Sequence, residues 1–90
     1  MNLHFITNEG TFHPDTDSVR FFALAGEHSI TFDAARTALE RLEGKTGLGA
    51  PALEAAYTRH VAKLRDAAKR IYARDGGGSF APYQIKAADL

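Results

Sequence analysis

Cysteine and tryptophan are both absent from this 90-residue sequence. The absence of cysteine excludes a disulfide framework, a thiolate zinc site and a cysteine nucleophile. Long apolar runs are absent as well, because the densest patch, residues 21–25, ends at Gly26, well short of the ~18 residues that span a membrane. Residues 1–10 do not have the basic and then apolar segments of a secretory signal. These absences predict a cytoplasmic protein without a membrane span.

An excess of charge of one sign is also lacking, since 11 basic residues face 11 acidic ones. Overall neutrality argues against a dedicated nucleic-acid binder. The charges are nevertheless unevenly placed along the chain. Residues 1–50 contain four basic and seven acidic side chains, whereas residues 51–90 contain seven basic and four acidic ones. A basic surface is therefore expected only in the second half.

The composition is that of an ordinary globular protein, with 44% hydrophobic and 24% charged residues. A chain of this length has enough apolar residues for one hydrophobic core and too few for two. The sequence therefore predicts a single domain that spans residues 1–90.

Short extended segments dominate the first third of the sequence. Residues 28–32 alternate apolar and polar side chains, which is typical of a half-exposed strand. Residues 19–25 are apolar on both sides, which favours a central strand covered on both faces. Pro82 predicts that the last strand lies at a sheet edge, because proline donates no ladder hydrogen bond. The predicted strands are residues 3–7, 19–25, 28–32 and 80–86, with a brief extended piece at 11–13.

Two helices are predicted between these strands. The first covers residues 34–43, with Asp33 as its N-cap and Gly44 as its left-handed C-terminal residue. The second begins at Pro51 and runs to Arg74, because no glycine or proline interrupts it. Its apolar stripe is expected to pack on the sheet or on a like helix across a two-fold axis; the stripe comprises Tyr57, Val61, Leu64, Ala68 and Ile71. The fold class is therefore α+β, a mainly antiparallel sheet of three or four strands with two helices, in the order β-β-β-α-α-β.

Several short motifs resemble those of one known group of proteins. They are Val19-Arg20-Phe21 with Ala23, Leu39-Glu40, Leu64 with Ala67, and the ending from Asp75-Gly76 to Ala88-Asp89-Leu90. In these residues the chain resembles short proteobacterial proteins catalogued only as a domain of unknown function. The resemblance covers residues 15–90 and implies an α+β fold with a small antiparallel sheet and two helices. It implies no catalytic, metal or ligand residue.

No motif predicts a catalytic residue, a metal ligand or a cofactor. The four histidines have no local spacing typical of a metal site; they are His4, His13, His28 and His60. Residues 15–17 contain alternating carboxylates, but turn chemistry accounts for them and the other ligands of a calcium loop are absent. The glycines of residues 76–78 follow a helix, whereas a phosphate-binding loop precedes one.

The polar side of the predicted 51–74 helix is its most informative feature. It combines six basic residues with Glu54 and Asp66. A solvated face is one interpretation, and contact with an acidic partner or a phosphate backbone is the other. The residues that would make such a contact are Arg59, Lys63 and Arg70.

Two functions from different classes follow from these observations. The first is a non-enzymatic interaction or regulatory module, for which homodimerisation could use apolar residues such as Leu53 and Tyr72, or Phe22 and Leu24 on the second sheet face. The alternative is weak nucleic-acid binding through the basic face of the 51–74 helix, which neutrality and the nearby acidic residues oppose. The identity of a protein partner is not encoded in any motif.

Overall fold

The computed structural model describes residues 3–5, 10–75 and 82–90. Within these ranges the strands are β1 (His4–Phe5), β2 (Thr11–His13), β3 (Ser18–Ala25), β4 (His28–Ala35) and β5 (Tyr83–Ile85). The helices are α1 (Arg36–Glu43), α2 (Ala50–Arg59) and α3 (Val61–Asp75), and a short 3₁₀ turn covers Ala87–Asp89. The predicted α+β fold class is confirmed.

The strands form one mixed sheet centred on β3 and β4. These two strands pair antiparallel over their full length around a two-residue turn, so that Ala25 pairs with His28 and Ser18 with Ala35. Gly26 occupies the left-handed region at φ 64°, as such tight turns require. Both β1 and β2 pair with the free side of β3, and β5 pairs with β4 in parallel. The sheet therefore has five strands in the described residues, two of eight residues and three shorter ones, where three or four strands were predicted.

The hydrophobic core lies between one sheet face and the helices. It includes Val19 and Phe21 of β3, Phe32 of β4, and Tyr57 of α2. The ring centroid of Phe21 lies 5.4 Å from that of Phe32 and 5.0 Å from that of Tyr57. The predicted apolar stripe of the second helix does pack here, and four of its five members are buried: Tyr57, Leu64, Ala68 and Ile71.

Asp33 does not cap α1, and this prediction was wrong. Strand β4 continues to Ala35, which is the N-cap and makes no side-chain capping hydrogen bond. The carboxylate of Asp33 is instead fully buried and accepts hydrogen bonds from the guanidinium of Arg20. A paired, charge-assisted hydrogen bond across the hairpin is stronger than one to a helix N-terminus, so the strand extends. The end of α1 agrees with the sequence, since Gly44 has φ 68°.

The predicted 51–74 helix is two helices, separated at His60. That residue has φ −111° and ψ 23°, although its N–H still donates to the carbonyl of Ala56. The imidazole Nε2 of His60 lies 2.7 Å from Oε2 of Glu43 on α1. No glycine or proline lies nearby, so we attribute the break to this tertiary contact. The break at His60 divides the predicted basic surface between α2 and α3.

Strand β3 is central, but the helices of the described residues cover only one of its faces. Phe22 is 52% exposed, which contradicts the prediction that both faces are buried. The described helices pack on the opposite face, because that is where their buried residues meet Val19 and Phe21. The last strand lies at a sheet edge as predicted, but it is shorter than expected and parallel to its neighbour. The predicted glycine turn at 76–78, and the predicted strand residues 6–7 and 80–81, fall outside the described residues.

Candidate functional site

The three residues predicted to contact a partner do not form one patch. Arg59 binds the carboxylate of Glu43 on α1, with Nη2 2.7 Å from Oε1 and Nε 3.2 Å from Oε2. Arg70 donates from Nη2 to the backbone carbonyl of Asp89 at 2.7 Å. Lys63 is exposed on α3. A partner contact of Arg59, Lys63 and Arg70 stays a prediction.

Lys63 and Arg70 do meet at one shallow cavity on α3. Its volume is about 120 Å³, and Asp66 and Leu90 complete its lining. A small pocket with two cations and one carboxylate has a local charge near +1, which attracts an anion only weakly in water. The structure thus brings together two of the three predicted residues and places Arg59 with Glu43 instead.

Glu43 is the point at which α1 holds the junction of α2 and α3. Its carboxylate binds both Arg59 and His60, as described above. The hydrogen bond from His60, followed by that from Arg59, keeps the pKa of Glu43 below its ordinary value. An acidic residue from another element therefore neutralises part of the basic face.

Two further basic residues of α3, Arg65 and Arg74, also make contacts within the chain. The guanidinium of Arg74 binds Asp75 through two 3.1 Å hydrogen bonds. The guanidinium carbon of Arg65 lies 5.1 Å from the ring centroid of Phe5, a cation–π distance. Basic side chains that already have a partner within the chain contribute less to a phosphate contact than their number in the sequence suggests.

The uncovered face of the sheet is the second surface of interest, and we call it the outer face. Its residues alternate with the core residues along the two long strands; they are Arg20, Phe22 and Leu24 of β3 with Ser29, Thr31 and Asp33 of β4. Neither Phe22 nor Leu24 belongs to the core cluster. Phe22 pairs with Thr31 across the hairpin, at the middle of both strands.

A cross-strand row of polar side chains borders the apolar centre of the outer face. Nε and Nη2 of Arg20 lie 2.8 and 3.1 Å from the two carboxylate oxygens of Asp33. Nε2 of Gln84 on β5 lies 3.3 Å from Oδ2 of Asp33. The row therefore links three strands, and the Asp33 hydrogen bond raises the pKa of Arg20. Sequence reasoning missed it, although a two-residue turn at 26–27 pairs residue 20 with residue 33.

Other charged residues make local contacts near α1. Nε of Arg36 lies 2.8 Å from Oδ2 of Asp17, which has φ 50° in the turn before β3. The Arg36 hydrogen bond lowers the pKa of Asp17. Arg36 also donates to Glu40 at 3.2 Å and to the carbonyl of Leu48 at 2.6 Å. These bonds tie the β2–β3 turn and the α1–α2 connection to the start of α1.

Within the described ranges, no three His, Cys, Asp or Glu side chains come close enough together to hold a metal ion. The four histidines lie on separate elements, with His4 on β1, His13 on β2, His28 at the start of β4 and His60 between helices. No helix in the described part of the chain has the length and apolar character needed to cross a membrane.

Comparison with known proteins agrees with this architecture. A family model described as "Protein of unknown function (DUF1488)" matches residues 3–85. A crystal structure of a protein of unknown function from the DUF1488 family of Shewanella loihica PV-4 has the same fold, with a TM-score of 0.81 at 15% identity. The similarity covers 96% of each chain. No curated protein matches the sequence. The chain belongs to the DUF1488 family of proteins of unknown function.

Proposed function

We propose that this chain is a non-enzymatic interaction module that binds an uncharged, apolar protein surface through its outer face. The observation that supports this proposal is the 52% exposure of Phe22 at the middle of a sheet face that no helix of the described residues covers. Exposed aromatic residues on a flat face are typical of the centre of protein interfaces.

The charges of the outer face indicate the chemistry of the partner. Its basic residue, Arg20, and its acidic residue, Asp33, form an ion pair with each other. The face therefore presents no net charge from these two groups, and a strongly charged partner would gain no electrostatic complementarity there. An apolar protein surface fits this combination of Phe22, Leu24 and Thr31 better than a phosphate backbone does.

The contacts of the clustered charged groups support a role without catalysis. Asp33, Glu43 and Asp17 each accept hydrogen bonds from an arginine of another element or segment, and each contact holds two parts of the fold together. Side chains used in this way are structural ties. We infer as well that the chain works in the cytoplasm as one domain, because cysteine is absent and one core cluster joins the sheet to the three helices.

In-cell photo-crosslinking tests the interaction. A benzoylphenylalanine at position 22 replaces one aromatic ring by another, and exposed Thr37 on α1 and Ala52 on α2 provide matched control positions. We expect a protein adduct from position 22 that is weak or missing at 37 and 52. A charge beside the ring, Thr31→Glu, should abolish the adduct because it would have to be desolvated on binding.

The adduct is then identified by mass spectrometry and its binding is measured with purified components. Wild-type protein should bind at least about tenfold more tightly than Phe22→Ser, as expected for loss of a central aromatic contact. Equal affinities, or adducts of equal yield from all three positions, would refute the proposal. Hydrolase activity that is lost on a single polar substitution would refute its non-enzymatic part.

A further inference from the structure

We propose that the partner is a second copy of this chain, and that two outer faces pack against each other about a two-fold axis beside Phe22. This inference rests on the proposed function and names its partner. Three features of the outer face favour a copy of itself: the position of its apolar centre, its charge and its area.

The apolar centre of the outer face coincides with its geometric middle. Phe22 is the fifth residue of the eight in β3, and its cross-strand neighbour Thr31 is the fourth of the eight in β4. A two-fold axis through this point brings Phe22 against Phe22 of the second copy. It also places the polar ends of each face at the rim of the contact, which is the usual anatomy of a self-complementary interface.

The charge distribution does not oppose the contact between like faces. The Asp33 carboxylate is fully buried and Arg20 retains 22% side-chain exposure, so each charge is already compensated within its own copy. Two such faces meet without the repulsion that a net charge would produce. The basic residues of α2 and α3 lie on other elements, outside the proposed contact.

The area of the face agrees with a weak, transient dimer. The five strands contain 24 residues, and each covers about 16 Å² of the sheet, about 3.3 Å along the strand by about 4.8 Å between strands. The face therefore covers roughly 380 Å² per copy, or roughly 760 Å² in total, which is smaller than a standard stable interface and in the range of weak, transient ones. We expect dissociation in the micromolar range and rapid exchange between monomer and dimer.

Analytical ultracentrifugation of the purified full chain tests this inference. Between about 10 µM and about 1 mM, the wild-type protein should change from mainly monomer to mainly dimer. Phe22→Ser should raise the dissociation constant on the order of 100-fold or more, because two half-exposed rings no longer become buried. The control is Leu90→Ser, which removes the second exposed large apolar side chain of the described residues. Leu90 lies beside Lys63 and Arg70 of α3, off the outer face, so the dimerisation of this variant should equal that of wild type.

Amide chemical shifts recorded at the same concentrations locate the contact. Dilution of the wild-type protein should change the chemical shifts of the β3 and β4 amides most. Circular dichroism should show that the Phe22→Ser variant is folded. A wild-type chain that stays monomeric at about 1 mM, or shifts confined to α2 and α3, would overturn the inference. If the chain is monomeric but position 22 still crosslinks to a different protein, the proposed function stands and only the dimer is refuted. If position 22 gives no crosslink either, the proposed function and the dimer are both refuted.

Discussion

Tyr57→Phe removes one hydroxyl from the middle of the core and leaves the ring contacts with Phe21 intact. Tyr57 is fully buried, and its hydroxyl has no hydrogen-bond partner among the described residues. A buried, unpaired polar group costs about 1–3 kcal/mol of stability, because it loses its water without replacement. At neutral pH we therefore expect Tyr57→Phe to be more stable than wild type by about 1 kcal/mol.

The same burial makes the stability of the wild type depend on alkaline pH. Desolvation raises the pKa of Tyr57 from 10.0 to about 12. The folded state thus binds a proton that the unfolded state has lost, so stability is complete below pH 10 and falls as the pH rises towards 12. A shift of two pKa units corresponds to about 2.7 kcal/mol. The free-energy difference between Tyr57→Phe and wild type should widen by up to that amount.

Urea unfolding followed by circular dichroism measures both effects. The two proteins are compared at neutral pH and at intervals up to about pH 11.5, at a protein concentration low enough to keep them monomeric, because dimerisation would add to apparent stability. All other ionisable side chains are the same in both proteins, so the difference between them isolates Tyr57. The structure indicates that the Tyr57 hydroxyl is desolvated. A difference in the free energy of unfolding between the two proteins that stays constant above pH 10 would contradict this.

Three further outcomes test other parts of the fold. Gly10→Ala should lower the free energy of unfolding by about 1–3 kcal/mol, since its Cβ would lie 2.9 Å from Cδ2 of Tyr57; an unchanged urea midpoint would contradict this close approach. Glu43→Gln should make the free energy of unfolding depend less on pH in acid. The His60 contact lowers the pKa of Glu43, so wild type loses the stabilisation from this contact as the pH falls below about 4.5. An equal pH dependence in the two proteins would contradict this prediction. Asp33→Asn should speed hydrogen exchange in β5, and equal rates would show that the polar row does not hold that strand.

The local features of the fold could be predicted from the sequence to a large extent. The hairpin turn at Gly26, the end of α1 at Gly44 and the buried stripe of the helices all follow from turn chemistry and apolar periodicity. Asp33 was misassigned because an aspartate before a helix is equally suited to capping. The cross-strand pairing with Arg20 decides between a helix cap and a buried ion pair. The register of the hairpin, in which Arg20 lies opposite Asp33, predicts this pairing.

The sequence could predict which residues belong to the candidate site, but it could not predict how they are arranged in space. The sequence places Phe22 on the second sheet face, but its exposure depends on the described helices packing on the other side. Arg59 is paired with Glu43, which is 16 residues away, and no periodicity in the sequence reports such a contact. The helix break at His60 has the same origin, because a tertiary contact prevails over a segment with good helix propensity.

The parallel pairing of β5 with β4 has a consequence for the order of folding. Gln84 and Asp33 are 51 residues apart, and all three helices lie between them in the sequence. The antiparallel hairpin of β3 and β4 is local and can form early, whereas the β5 position is filled only after the helices have closed the intervening loop. Until then the backbone of β4 presents an unpaired edge. Slow folding steps and aggregation should therefore originate at that edge, and changes that speed helix docking should suppress both.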